Sequence, residues 1–103
     1  MNASNTDSTG NLVVSNVDNI PNPFNPTTTL KYDLLVGGEI KITIYDLMGR
    51  KVRTLFDGVQ DAGSKSILWD STDDSGIQIG TGFYFYTIRT TSELKKGKML
   101  FLK

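Results

Sequence analysis

The chain has 103 residues, with 11 Lys plus Arg against 11 Asp plus Glu and a formal net charge of zero. That length supports one hydrophobic core and not two, and the balanced charge lacks the basic excess of a nucleic-acid binder. Cysteine and histidine are absent, which excludes disulfides, thiolate zinc sites, cysteine nucleophiles and histidine general bases.

Hydrophobic residues make up 38% and charged residues 21%, a balance that suits a globular domain. Residues 1–11 are small and polar and read as a flexible linker. The folded domain is expected over 12–103. The polar start carries no apolar signal-peptide core. It reads as a piece cut within a linker, so an export signal, if the protein is exported, lies outside this chain. No apolar run approaches the roughly 20 residues that span a bilayer, and no transmembrane segment is expected.

The composition of Leu12–Val17 predicts a first strand. Pro21, Pro23 and Pro26 follow in quick succession, interleaved with Asn22 and Asn25. Proline has no amide donor, so this segment cannot lie inside a sheet. It is expected to be a connection anchored by Phe24. Thr29–Leu34 alternates, with Leu30, Tyr32 and Leu34 on one face, and Gly37-Gly38 predicts a hairpin turn. Glu39–Tyr45 alternates again, with Ile40, Ile42 and Ile44 inward. Asp46-Leu47-Met48-Gly49 predicts a tight turn, and Lys51–Phe56 the next strand. Asp57-Gly58 and Ala62-Gly63 bracket an expected loop. Ser64–Trp69 is a strand, and 70–82 a long polar loop.

Phe83–Arg89 is the most apolar strand, aromatic on both faces, and reads as central and covered on both sides. Thr90–Lys96 reads as a turn region and Lys98–Leu102 as the last strand. About seven short strands with turn signals every 8–12 residues are the pattern of an all-β, immunoglobulin-like sandwich of antiparallel strands.

Candidate chemistry is sparse. Asp70, Asp73 and Asp74 could offer oxygen ligands to calcium, but Thr72 and Ser75 break the EF-hand template. Asp-Asp-Ser-Gly is also ordinary turn chemistry, which is the preferred reading. No metal, cofactor or catalytic residue is assigned. The serines have no histidine partner, and carboxylates in one loop are not opposed across a cleft as glycoside hydrolysis requires. Trp69, Tyr84 and Tyr86 could stack sugars, although Tyr84 and Tyr86 share a face with Ile88 and all three fit a core better. The last stretch is basic, with Arg89, Lys95, Lys96, Lys98 and Lys103 against Glu93. Lysines on a terminal strand also discourage edge-to-edge aggregation.

Pro21-Asn22-Pro23-Phe24-Asn25-Pro26-Thr27-Thr28 resembles the opening motif of the type A C-terminal sorting domains of the type IX secretion system. Ile44–Val52 is similar to that family's strand-turn-strand segment. Trp69-Asp70, Asp73-Asp74-Ser75-Gly76 and Gly82–Tyr86 resemble its central block, and Lys98–Lys103 its terminal basic strand. The resemblance runs from about Ile20 to Lys103. Ser71 stands where the family has glycine. The related immunoglobulin-like domain of flagellar hook-capping proteins shares the central blocks but not the proline motif.

The resemblance implies a non-catalytic export address at the end of a secreted cargo. The partners it implies are the outer-membrane translocon, its processing machinery and a fused upstream cargo domain. The route it implies runs through the periplasm to the cell surface, with cleavage in the linker. The recognition residues carried over are Gly82, Tyr84, Lys98 and Lys103. Gly82 also fits a tight strand entry and Tyr84 a core position, whereas exposed lysines do little for stability. The alternative class is a structural or carbohydrate-binding accessory domain of a large extracellular enzyme.

Overall fold

The computed structural model describes residues 13–103. The linker expected over 1–11, and Leu12 of the expected first strand, lie outside the described residues. Among the described residues seven strands form in chain order: β1 (Val14–Ile20), β2 (Thr28–Leu34), β3 (Gly38–Asp46), β4 (Lys51–Gln60), β5 (Gly63–Trp69), β6 (Gly82–Thr90) and β7 (Leu94–Phe101). They make two antiparallel sheets, of order β1-β2-β5 and β4-β3-β6-β7.

The alternating patterns place the core between the sheets. Leu30, Tyr32 and Leu34 of β2, and Ile40, Ile42 and Ile44 of β3, are all buried as expected. Val14, Phe24, Trp69, Tyr84, Tyr86, Ile88, Met99 and Phe101 complete the interior. Trp69 is 1% exposed and its indole N–H donates to Thr72 O at 2.9 Å. A buried indole with its donor satisfied is a core residue and not a sugar platform.

Several boundaries differ from the sequence expectation. Gly37-Gly38 is not a hairpin turn, because β2 and β3 belong to different sheets. Both edges of β2 are taken, by β1 and β5, so the chain must cross the sandwich there. Gly37 lies against the β4–β5 connection, where an added Cβ would be 3.1 Å from Gln60 O. Asp57-Gly58 is strand and not loop: Gly58 pairs with Ile40, so β4 matches the length of β3. β1 begins at Val14 and runs on to Ile20, with a bulge between Ser15 and Asp18 where Asn16 has φ 52°.

β6 is central, but its outer face is open to solvent: Phe83 is 41% exposed. The apolar run therefore marks one buried and one aromatic surface face. β7 starts at Leu94, because an exposed edge accepts the lysines that read as a turn. The Asp46–Arg50 turn forms as expected. Asp46 Oδ1 accepts from Met48 N–H and Arg50 N–H, and Gly49 takes φ 82°.

Candidate recognition surface

The proline segment and the last strand form one unit. Phe24 is 1% exposed and stacks on Phe101 with centroids 5.2 Å apart, and it meets Trp69 at 5.6 Å. Trp69 in turn packs edge-on against Tyr84 at 5.8 Å. Three prolines deny the segment most of a ladder, but Phe24 has its amide. Its N–H donates to Leu100 O at 2.9 Å, and Leu102 N–H donates to Phe24 O at 3.0 Å. Asn22 adds a side-chain copy of a strand partner. Its Oδ1 accepts from Leu100 N–H at 3.0 Å, and its Nδ2 donates to Lys98 O at 3.3 Å. Pro21, Pro23, Asn25 and Pro26 are exposed around this anchor, and all three X-Pro bonds are cis.

The carried-over residues fall around the same strand pair. Gly82 pairs with Phe101, Tyr84 with Met99 and Phe85 with Lys98. They do not share one face. Tyr84 is 9% exposed, points into the core and donates its hydroxyl to Gly80 O at 2.7 Å. Burial, with Asp46 nearby, pushes its phenol pKa up. Gly82 has φ 141°, a conformation that side-chain-bearing residues avoid. Lys98 and Lys103 are exposed. The Lys98 ammonium lies 4.8 Å from the Phe83 ring centroid.

On the outer face of β3, β6 and β7 lies an open groove of about 420 Å³, lined by Tyr45, Leu47, Phe85, Thr87, Lys96 and Lys98 among others. Tyr45 and Phe85 are direct cross-strand neighbours there. Sequence reading placed the sugar-platform alternative on Trp69, Tyr84 and Tyr86, which are buried. The surface aromatics are Tyr45, Phe83 and Phe85. Period-2 alternation through Tyr84, Tyr86 and Ile88 was the signal that separates the two sets. Asn22, whose side chain clamps β7, carried no sequence signal beyond its place in the motif.

The acidic loop is built of turns. Asp70 Oδ1 accepts from Thr72, Asp73 Oδ1 from Ser75 and Ile77 amides, and Asp74 Oδ1 from Thr54 N–H on β4. The Asp70 carboxyl is held below its usual range, first by the Thr72 hydroxyl, although burial opposes this. Among the described residues no cluster of three acidic groups is placed to hold a metal. Ser71, the departure from glycine, has φ 66°, is fully buried and donates its hydroxyl to Pro26 O.

Two antiparallel sheets closed over an aromatic interior define an immunoglobulin-like β-sandwich. Residues 29–93 match the FlgD Ig-like domain, and the chain belongs to that family. The match leaves out the proline segment and all of β7. No curated protein matches the sequence. Among solved structures, the fold is similar to part of dimeric latent PorU from Porphyromonas gingivalis, at 24% identity and TM-score 0.67 over 84% of this chain and 9% of that one. It is similar to part of PorZ from the same organism, described as an essential surface component of the type IX secretion system, at 18% identity and TM-score 0.59 over 85% and 12%. FlgD from P. aeruginosa matches at 24% identity and TM-score 0.59, over 86% of this chain and 74% of that one. The chain thus spans about a tenth of the two P. gingivalis proteins.

Proposed function

We propose that the domain is a non-catalytic C-terminal sorting module that directs a fused cargo through the type IX secretion system to the outer surface. The carrying observation is the union of Pro21–Pro26 with β7 through Phe24 and Asn22. These two segments, far apart in sequence, carry the sorting-domain resemblance and lie outside the matched FlgD region. The fold shared with part of PorZ, a surface component of that system, supports the same route. The partners are the outer-membrane translocon and its processing machinery, and the recognition residues are Gly82, Tyr84, Lys98 and Lys103. Tyr84 acts by shaping the strand pair from within, and the lysines by contact.

The mode of recognition is strand addition. The edge of β7 near Leu100 is already occupied by Asn22 and Phe24, so the added strand would lie beyond them. The test is deletion of Lys98–Lys103 from a full-length cargo. Cargo should then accumulate in the periplasm; normal surface delivery contradicts the proposal.

The outer face carrying exposed Phe83 and half-buried Tyr45 and Phe85 favours a second reading, a carbohydrate-binding accessory domain. Pull-down on a panel of insoluble polysaccharides tests it. Retention that is lost on Phe85→Ala supports it, and no retention removes it.

A further inference from the structure

The edges of the four-stranded sheet are unequally covered. On β4, Asp74 N–H donates to Val52 O and Thr54 N–H to Asp74 Oδ1. On β7, Asn22 and Phe24 cover the edge from Lys98 O to Leu102. The pairing of β6 with β7 runs without a bulge. Leu100 turns both its backbone groups to the outer edge, so antiparallel alternation turns those of Lys96, and the Lys98 N–H, the same way. Among the described residues these groups meet no partner. Lys96 and Lys98 also project together to the outer face, two residues apart and both exposed. Of the nearby carboxylates, Glu93 pairs with Lys95 at 3.2 Å, Asp46 pairs with Arg50 at 2.9 Å, and Asp18, which faces Tyr86 from β1, accepts from the Asn19 amide at 2.8 Å.

Building on strand addition at β7, we infer that the segment Leu94–Lys98, open at Lys96 and at the Lys98 N–H, accepts an extended partner strand of pattern acid–x–acid–x–apolar. The two acids pair across the strands with Lys98 and Lys96, and the apolar residue faces Leu94, which is 42% exposed. Directly opposed unlike charges stabilise a strand pair and like charges oppose it. The same two lysines therefore reject a second copy of β7 while admitting an acidic strand. Asn22 and Phe24 set the register, because they end the open run at Lys98 O.

The experiment adds short peptides to the 103-residue chain and follows amide shifts and hydrogen exchange. One peptide carries Glu-Thr-Glu-Thr-Val; another has the same composition as Glu-Glu-Thr-Thr-Val; a third carries Lys-Thr-Lys-Thr-Val. The first should slow exchange at the Lys96 and Lys98 amides. It should bind at least tenfold more tightly than the other two and weaken with added salt. The double variant Lys96→Glu, Lys98→Glu should reverse the preference toward the lysine peptide. Equal binding of the first two peptides, or no protection at Lys96, overturns the inference. Surface delivery of a cargo bearing the double variant separates the two levels. If that cargo is delivered while deletion of Lys98–Lys103 still blocks export, the acidic-strand inference falls and the sorting role stands. If the deletion has no effect, the sorting role falls.

Discussion

Gly97 lies opposite Tyr86, and an alanine there has no room. An added Cβ would sit 2.2 Å from Tyr86 Cζ and Oη and 2.4 Å from Cε2. The ring is 6% exposed within the core, so it cannot swing aside without displacing neighbours. Overpacking costs about 1–3 kcal/mol, and a rigid ring held between two sheets places Gly97→Ala near the upper end. At about 4–8 °C per kcal/mol for a domain of this size, the melting temperature should fall by roughly 12–24 °C. Thermal unfolding followed by near-ultraviolet circular dichroism measures it. A Tyr86→Leu background should bring the added cost of Gly97→Ala below about 1 kcal/mol, because the two changes share one contact. A drop under about 2 °C in the wild-type background refutes the reasoning.

Three further outcomes follow from named contacts. Asn22→Ala removes both side-chain bonds to β7, so the Leu100 amide should exchange faster while the Met99 amide, turned toward β6, keeps its protection; the stability loss should be about 1 kcal/mol by denaturant titration. Ser71→Gly relieves a left-handed conformation worth about 1–2 kcal/mol while giving up a hydrogen bond of similar size, so it should be near neutral. Ser71→Ala keeps the strain and strands the Pro26 carbonyl, and should be about 1–2 kcal/mol less stable than Ser71→Gly. Burial pushes the Glu93 carboxyl pKa up, but the Val14 and Val13 amides and the Lys95 ammonium outweigh it and hold it below the usual range. Folding therefore favours the ionised form. Its contribution is present above the unfolded pKa and is lost as pH falls through the folded value. The stability gap between wild type and Glu93→Gln should be widest near neutral pH and close on acidification.

The alternation of Leu30, Tyr32 and Leu34, and of Ile40, Ile42 and Ile44, was enough to name the buried faces. Sheet geometry ties side-chain direction to parity. The Asp46–Gly49 turn was legible for a similar reason, since its hydrogen bonds are local. The prolines excluded their segment from a sheet by chemistry alone. Missing cysteine and histidine bounded the reactions open to the chain.

Partners distant in sequence were decided only in three dimensions. Gly37-Gly38 reads as a hairpin until both edges of β2 are seen to be occupied. Gly58 becomes strand because β3 supplies its ladder, and position 97 must be glycine because Tyr86 fills the space over it. β6 looks two-sided in sequence, yet nothing among the described residues packs over Phe83 as a further layer. The motif residues were visible in the chain, but that Asn22 and Phe24 close one stretch of β7 and leave Lys96 open is a property of long-range hydrogen bonds. Backbone donors and acceptors look alike in every sequence; only the assembled sheet shows which of them have partners.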